Sequence, residues 1–282
     1  MIRYIYQLLH PRFQKLFLEY PVTMQPRYGH GKPAHKGLYK IIDRHRTSYA
    51  ATLAKVVHYL PDFKSVKHSQ DQKDPSEPSW NNGFLPGLDI ITLFMMIAEY
   101  KPNRYIEIGS GNSTKVVWKA KNSYSPDTKI ISIDPMPRAE IDSLADEIIR
   151  KPFEMLWQNE FPSMEAGDIL FVDNSHRILP NSDAMVFFME LLPEIPEGVV
   201  IQVHDVYLPY DYPPFMCERF YSEQYGLAMY LMANPEKYVP LLPNYFISED
   251  PELSTLADPV WQLPGMQDVE HHGGSFWFLV KN

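Results

Sequence analysis

Cysteine is nearly absent from this sequence, since Cys217 is the single example among 282 residues. An intramolecular disulfide framework and a multi-cysteine metal site are therefore excluded, and the composition suits a reducing compartment. Long apolar runs are missing as well. The most apolar stretch, residues 90–98, is far shorter than the roughly 20 residues that a membrane-spanning helix needs. We predict a protein that does not span a membrane.

Positive charge is also scarce, because 26 Lys and Arg stand against 35 Asp and Glu, for a net charge of -9. Duplex binding is driven by basic side chains that neutralise phosphates, and no basic stripe is present, so we predict no nucleic-acid partner. The first ten residues are interrupted by Arg3 and Gln7 and contain no clean signal-peptide core. The predicted location is the cytoplasm.

Two regions differ in their patterns. Residues 1–80 predict a cap segment with helices near 5–20 and 38–60, joined by a loop over 21–36 that is rich in Pro, Gly and His. A polar stretch over 64–79 marks the predicted boundary. Residues 81–282 form the predicted catalytic domain.

The second region alternates between helical and strand patterns, which is typical of an α/β sheet. Strands are predicted at 105–108, 130–133, 168–172, 199–203, 238–247 and 275–280. Helices are predicted at 90–100, 115–121, 138–149, 184–192 and 218–232. The last two strands have no strong crossover helix between them. We therefore predict a doubly wound, mostly parallel sheet with an antiparallel C-terminal addition.

Ligands of such sheets bind beyond the carboxyl ends of the strands. The first of these ends reads Glu-Ile-Gly-Ser-Gly-Asn-Ser-Thr over 107–114. Glycines there let the backbone approach a ligand, but Thr114 replaces the third glycine of the dinucleotide fingerprint. The carboxylate of Glu107 favours a ligand with an ammonium group, as S-adenosylmethionine (SAM) has. The alternative is an ordinary turn with incidental glycines.

Asp134 ends the next predicted strand and lies 23 positions beyond Gly111. That spacing is close to the roughly 20 positions expected for an acid that binds ribose hydroxyls. The structural alternative is that Asp134 caps a helix near Pro135.

Two acid–histidine pairs follow later strands: Asp173 with His176, and His204 with Asp205. Imidazole can remove a hydroxyl proton near neutral pH. His176 is the first candidate for a base and His204 the second, whereas structural hydrogen bonding is the alternative for either histidine. Asp173, His204 and Asp205 are also candidate ligands of a divalent cation.

Two other groups of residues are candidates for a functional role. His271 and His272 are adjacent, so on a strand they would point to opposite faces, and we interpret them as a solvated loop. An aromatic cluster could either line a substrate pocket or pack in the core. Its members are Tyr207, Tyr210, Tyr212, Phe215, Phe220, Tyr221 and Tyr225.

In the order of these motifs the chain resembles the class I SAM-dependent methyltransferases, which have a Rossmann-like sheet, and more narrowly a bacterial small-molecule O-methyltransferase-like group. The motifs that carry the resemblance are 107–114, Ser-Ile-Asp-Pro at 132–135, Asp-Asn-Ser-His at 173–176, His-Asp-Val-Tyr-Leu-Pro-Tyr-Asp-Tyr-Pro at 204–213 and Gly-Gly-Ser-Phe-Trp at 273–277. The similarity runs from roughly residue 27 to the C-terminus.

The resemblance implies a SAM-dependent transferase that methylates a small molecule, most plausibly at a hydroxyl group. The implied cofactor contacts are Glu107, Gly109, Ser110, Gly111, Asn112, Ser113, Asp134 and Asp173. The implied catalytic residues are His176, Asp173 and His204. N-methylation, another SAM-fold reaction and non-catalytic SAM binding remain alternatives, and homo-oligomerisation is left open.

Magnesium is the second implied cofactor. Related sugar and catechol O-methyltransferases bind it with an acid in the place of Asp173 and an acid–acid or acid–amide pair near 204–205. This chain has His204 where those enzymes have a carboxylate, and Mg²⁺ prefers oxygen ligands. The resemblance therefore gives a magnesium site at Asp173, His204 and Asp205 only weak support.

Overall fold

Buried segments rich in Ile and Val build the central sheet. The computed structural model describes residues 6, 8–11, 14–137, 139–156 and 160–282. Within them a seven-stranded sheet contains β1 (Arg104–Ile108), β2 (Lys129–Ile133), β3 (Glu147–Ile149), β4 (Ile169–Val172), β5 (Val200–Val203), β6 (Tyr238–Pro243) and β7 (Phe276–Val280). The strand order is β3-β2-β1-β4-β5-β7-β6.

Six of these strands run in one direction, and β7 is antiparallel to both of its neighbours, β5 and β6. The predicted doubly wound sheet with an antiparallel C-terminal strand is thus confirmed. The order of strands reverses between β1 and β4, which lie side by side at the centre. Such a switch point opens a crevice beyond the carboxyl ends of the strands.

Helices pack against the sheet and also make up much of the N-terminal region. They are α1 (Lys36–Asp43), α2 (Arg46–Leu53), α3 (Leu60–Ser65), α4 (Gly87–Tyr100), α5 (Asn112–Tyr124), α6 (Phe153–Leu156), α7 (Asp183–Val186), α8 (Leu192–Glu194), α9 (Pro214–Cys217), α10 (Glu223–Ala233), α11 (Asn244–Glu249) and α12 (Asp258–Trp261). A π-helical turn, Phe187–Leu191, joins α7 to α8. Two 3₁₀ segments, Ala54–Tyr59 and Ser254–Ala257, and a short pair of parallel strands, Lys67–His68 with Ser79–Trp80, complete the elements. None of the helices in the described ranges is long and apolar enough to cross a bilayer.

One hydrophobic cluster connects the N-terminal helices to the sheet. Leu38, Tyr49 and Leu53 from the helices belong to the same buried cluster as Ile106 and Leu170 from the strands. The helix α4 is buried along nearly its whole length, as expected for a helix that is apolar on every side. The N-terminal helices therefore pack directly against the sheet layer.

Four predicted elements are wrong in part. Residues 14–20 are not helical, although a helix was predicted over 5–20, and residues 1–5, 7 and 12–13 of that region lie outside the described residues. Of the helix predicted over 138–149, residue 138 lies outside the described residues, and residues 139–149 form turns and the edge strand β3 instead. There the β-branched Ile148 and Ile149 pair with β2, because the edge of that strand is open to them.

The other two differences lie near the C-terminal strands. The predicted helix 218–232 begins only at Glu223, since Phe220 has a φ of 60° that interrupts a right-handed helix. The predicted strand 238–247 ends at Pro243, and residues 244–249 form α11 instead. Short helical segments, α11 and α12 among them, lie between β6 and β7.

Candidate functional site

A cleft of about 840 Å³ opens beyond the carboxyl ends of β1, β2 and β4. Its walls come from the loops over 108–113, 133–136, 152–154, 173–175 and 179–183. Gln14 and Leu16 from the N-terminal segment also line it. This is the position at which a doubly wound sheet binds its ligand, and the volume lies within the usual range of small-molecule pockets.

Gly109 brings the ends of β1 and β4 together. Its φ is 81°, a left-handed conformation that favours glycine. A Cβ at this position would lie 2.4 Å from the backbone oxygen of Asp173. The backbone amide of Gly109 also donates to the Ile133 carbonyl at 3.0 Å. The glycine thus permits three strand ends to meet without a side chain between them.

Glu107 lies under this loop and is not among the residues that line the cleft. Thr114 donates to its Oε2 at 2.5 Å and Tyr105 donates to its Oε1 at 3.1 Å. Burial raises the pKa of Glu107 to about 7, against the lowering effect of these hydroxyl donors. Thr114 also accepts from the Gly111 amide at 3.2 Å. The threonine that interrupts the dinucleotide fingerprint therefore ties the loop to the buried acid.

Asp134 lines the cleft and organises its floor. Its carboxylate accepts from the Ser110 amide at 2.9 Å and from the Met136 amide at 2.7 Å. The hydroxyls of Ser110 and Ser132 are 2.6 Å apart beneath it. Asp134 caps a turn rather than a helix, because residues 135–137 are not helical.

A second cavity, of about 980 Å³, adjoins the cleft. The two share Phe84, Leu85 and Asp173 as lining residues. Both candidate histidines, His176 and His204, line the second cavity. A cofactor in the first space and an acceptor in the second would meet at Asp173.

His176 is held by carboxylates at both ring nitrogens. Its Nδ1 contacts Oε1 of Glu223, and its Nε2 is 3.5 Å from Asp173 Oδ1 and 3.5 Å from Asp205 Oδ2. Burial by itself would lower the pKa of His176, but the charges of Glu223, Asp173 and Asp205 outweigh it and raise the pKa to about 9. His176 and Asp205 both have left-handed backbones, with φ of 65° and 55°. Such strained residues cluster at functional sites.

His204 is buried beside the same acids and has a different supporting carboxylate. Its Nε2 is 3.2 Å from Asp89 Oδ2, while its Nδ1 is 3.6 Å from Asp205 Oδ1 and 3.9 Å from Asp173 Oδ1. Burial would lower the pKa of His204, but the surrounding acids raise it to about 10. The structure thus brings the two predicted acid–histidine pairs into one cluster.

These residues do not fit a magnesium ion. Across the described ranges, no group of three or more His, Cys, Asp or Glu side chains is arranged to hold a metal. His204 presents a ring nitrogen, not an oxygen, to Asp173 and Asp205. Mg²⁺ prefers oxygen donors. We therefore derive no catalytic step from the predicted site at Asp173, His204 and Asp205.

The aromatic cluster combines the two predicted roles. Tyr207 and Tyr221 line the second cavity and are buried, and Tyr212 packs behind them as core. Phe215 lines the cavity but is half exposed. The His271–His272 segment is a loop, as predicted, with an exposed His271 whose ring stacks on Trp261 at 4.4 Å.

Two acids of the cluster, Asp89 and Glu223, were not singled out as functional from the sequence. Asp89 lies in the first turn of α4 and accepts from Asn244 Nδ2 at 2.7 Å and from the Gly274 amide at 2.8 Å. Burial would raise the pKa of Asp89, but the bonds from His204, Asn244 and Gly274 hold it below its ordinary value. Glu223 is the first residue of α10 and fully buried. The sequence feature that could have identified Asp89 and Glu223 is the position of each acid at the start of an apolar helical segment.

A comparison with family models gives one match for the centre of the chain. Residues 106–206 match the model described as a methyltransferase domain. The matched segment contains the last three residues of β1 and all of β2, β3, β4 and β5. It therefore includes every loop of the cleft named above, whereas Gln14, Leu16, Phe84 and Leu85 lie outside it.

Comparisons with curated proteins and solved structures give weaker likenesses. An uncharacterised protein of Archaeoglobus fulgidus is 40% identical over 58 residues, which are 20% of this chain and 26% of that protein. The O-methyltransferase of Bacillus cereus in complex with SAH has a TM-score of 0.38 and 15% identity, over 82% of this chain and 91% of that one. The SAH-bound methyltransferase of Podospora anserina has a TM-score of 0.42 and 14% identity, over 90% of this chain and 100% of that one.

Proposed function

We propose that this chain, whose residues 106–206 match the model of a methyltransferase domain, is a class I SAM-dependent enzyme that transfers the methyl group of SAM to a hydroxyl group of a small molecule. The observation that carries the proposal is the junction of the two cavities at Asp173, with His176 beside it. An acceptor hydroxyl in the second cavity would lie between the cofactor cleft and an imidazole nitrogen.

The cofactor cleft supplies contacts for each part of SAM. Asp134 is proposed to bind the ribose hydroxyls, and the loop of Gly109, Ser110, Gly111, Asn112 and Ser113 the methionine end. The open space beside Gly111 supports this fit, because a Cβ added there would meet no atom within 4 Å and backbone amides can approach a ligand. Glu107 is proposed to hold that loop from below through Thr114.

Bound SAM supplies a methyl group on a positively charged sulfonium, and the protein aligns the acceptor and removes its proton. The new bond joins the acceptor oxygen to the methyl carbon, while the carbon–sulfur bond breaks and its electron pair stays on sulfur. His176 Nε2 takes the hydroxyl proton. Good alignment is worth on the order of 7–11 kcal/mol in intramolecular reactions.

The raised pKa of His176 sets a condition on this role. An imidazole with a pKa of about 9 is protonated at neutral pH and must lose that proton before it can act as a base. The positive sulfonium near Asp173 would lower the pKa of His176, because a like charge disfavours the protonated form. We expect methyl transfer to accelerate as pH rises from 7 toward 9.

A panel of hydroxyl compounds with their matched amines tests the function. Purified protein, SAM and one compound at a time are incubated, and the release of S-adenosylhomocysteine (SAH) is measured. We expect turnover of a hydroxyl compound such as catechol or a simple sugar and none of its amine counterpart. Turnover of amines alone would replace the proposal with N-methylation, and SAH binding without turnover of any compound would favour a non-catalytic SAM-binding protein.

His176→Ala tests the base. General-base catalysis typically contributes about 10² to 10⁴-fold, so kcat should fall by that factor while SAM affinity stays unchanged. His271→Ala is the control, because His271 is exposed and lies outside the acid cluster and the lining of the second cavity. A folded His176→Ala variant with full activity would pass the role to His204.

The sequence makes further predictions that remain proposals. They are a small-molecule acceptor as the partner, no nucleic-acid or membrane partner, a cytoplasmic location, and a boundary between a cap segment (1–80) and the catalytic domain (81–282). Homo-oligomerisation stays open.

A further inference from the structure

Glu223 is a fully buried acid for which packing gives no reason. It has no exposed surface, and its Oε1 contacts His176 Nδ1. Among the described residues its second oxygen, Oε2, has no hydrogen-bond partner. Burying a carboxylate is costly unless its oxygens are paired. A leucine would fill a similar volume at a lower cost, so the contact with His176 is the feature that distinguishes the acid.

The contact fixes which nitrogen of His176 faces the cavity. Because Nδ1 is directed at Glu223, Nε2 faces Asp173 and Asp205, each 3.5 Å away. Tyr221 stacks on the imidazole with ring centroids 4.5 Å apart, and the Ser222 amide donates to the His176 carbonyl at 2.8 Å. The ring is therefore restrained on its face, at its backbone and at one nitrogen.

We propose that Glu223 is a positioning residue that keeps a proton on Nδ1 of His176 and so leaves Nε2 to receive the acceptor's proton. This inference rests on the proposed function of His176 as the base. Glu223 itself lines neither cavity, so it acts only through the imidazole. An acid in this place selects the tautomer and stabilises the imidazolium that forms during proton transfer.

His204 is oriented in the opposite sense. Its Nε2 faces the buried Asp89, so Nδ1 is directed at the shared acids. Each histidine thus has its own supporting carboxylate. A change at Glu223 should therefore alter the tautomer of His176 and leave that of His204 unchanged.

The helix α10 begins at Glu223, so the acid also has a structural role, which an experiment must separate from its effect on His176. Negative charge in the first turn stabilises a helix, so a change in stability on substitution would not by itself report on His176. The deciding measurement must therefore report on the His176 ring itself. Ring-nitrogen NMR does so, because protonated and unprotonated nitrogens have distinct chemical shifts.

The experiment uses the full chain labelled with ¹⁵N-histidine, with SAH as the only ligand, at a pH above the pKa of His176. The variants are Glu223→Gln and Glu223→Leu, and His176→Ala assigns the signals. In the unsubstituted protein we expect a protonated Nδ1 and an unprotonated Nε2. In Glu223→Leu that preference should be lost, in Glu223→Gln it should weaken, and the His204 signals should stay in place.

Identical His176 signals in the unsubstituted protein and in folded Glu223→Leu would overturn the inference, as would a protonated Nε2 in the unsubstituted protein. SAH affinity, measured by calorimetry, should be unchanged in both Glu223 variants, and a loss would mean that the acid supports the cofactor site instead. The two proposals fail separately. Full activity of His176→Ala removes the base, whereas an unchanged tautomer removes only the role of Glu223.

Discussion

Replacing Gly109 with alanine tests whether the cofactor cleft depends on the close approach of β1 and β4. The new Cβ would lie 2.4 Å from the Asp173 carbonyl oxygen, in a backbone with a φ of 81°. Backbone oxygen cannot rotate away as a flexible side chain can. Either the loop after β1 or the loop after β4 must therefore move.

The expected loss in the free energy of unfolding has two parts. A left-handed conformation costs an L-residue roughly 1–2 kcal/mol, and overpacking typically costs about 1–3 kcal/mol, so the total is about 2–5 kcal/mol. An unfolding entropy of roughly 2.1 cal/mol/K per residue gives about 0.6 kcal/mol per degree for 282 residues. Gly109→Ala should therefore lower Tm by about 3–8 °C.

Gly83→Ala separates the two parts. Gly83 has nearly the same φ, 80°, and nothing within 4 Å of an added Cβ. Only the conformational part applies to it, so Tm should fall by about 2–3 °C. Differential scanning calorimetry gives both values. Titration with SAH should show roughly tenfold weaker binding, about 1.4 kcal/mol, for Gly109→Ala alone. Equal losses of Tm and of affinity in the two variants would refute the reasoning.

Three further predictions concern the cleft and the acid cluster. Asp134→Ala should weaken SAM binding by roughly 1.5–3 kcal/mol through lost charge-assisted hydrogen bonds, and calorimetric detection of unchanged affinity would contradict it. The free energy of unfolding should decrease as pH rises from 6.5 toward 10, because His176 and His204 have raised folded pKa values of about 9 and 10. The stability that the two protonated histidines contribute is fully present below their unfolded pKa and is lost above their folded pKa. Urea titrations across that range measure this, and His176→Asn should flatten the dependence. Exhaustive treatment with EDTA should leave methyl transfer unchanged, and recovery on adding magnesium to a chelated, inactive enzyme would restore the metal site.

Local patterns predicted β1, β2, β4, β5 and β7 well because each of these buried strands is short and rich in β-branched or aromatic residues. Helix predictions failed where the rest of the molecule decided the outcome. Residues 147–149 pair with the open edge of β2, which no window of sequence around them reveals. Phe220 takes a left-handed conformation beside the cluster and delays the start of α10 to Glu223.

The sequence by itself determined the alternation of strands and helices, and with it the edge of the sheet at which Gly109, Asp134, Asp173 and Asp205 lie. That follows because parallel strands place all their carboxyl ends at one edge. Only the tertiary structure decided which acid supports which histidine. Asp89 is 115 positions from His204, and Glu223 is 47 positions from His176. Their contacts depend on how α4 and α10 pack against the end of the sheet. The local sequence around each acid does not indicate that packing.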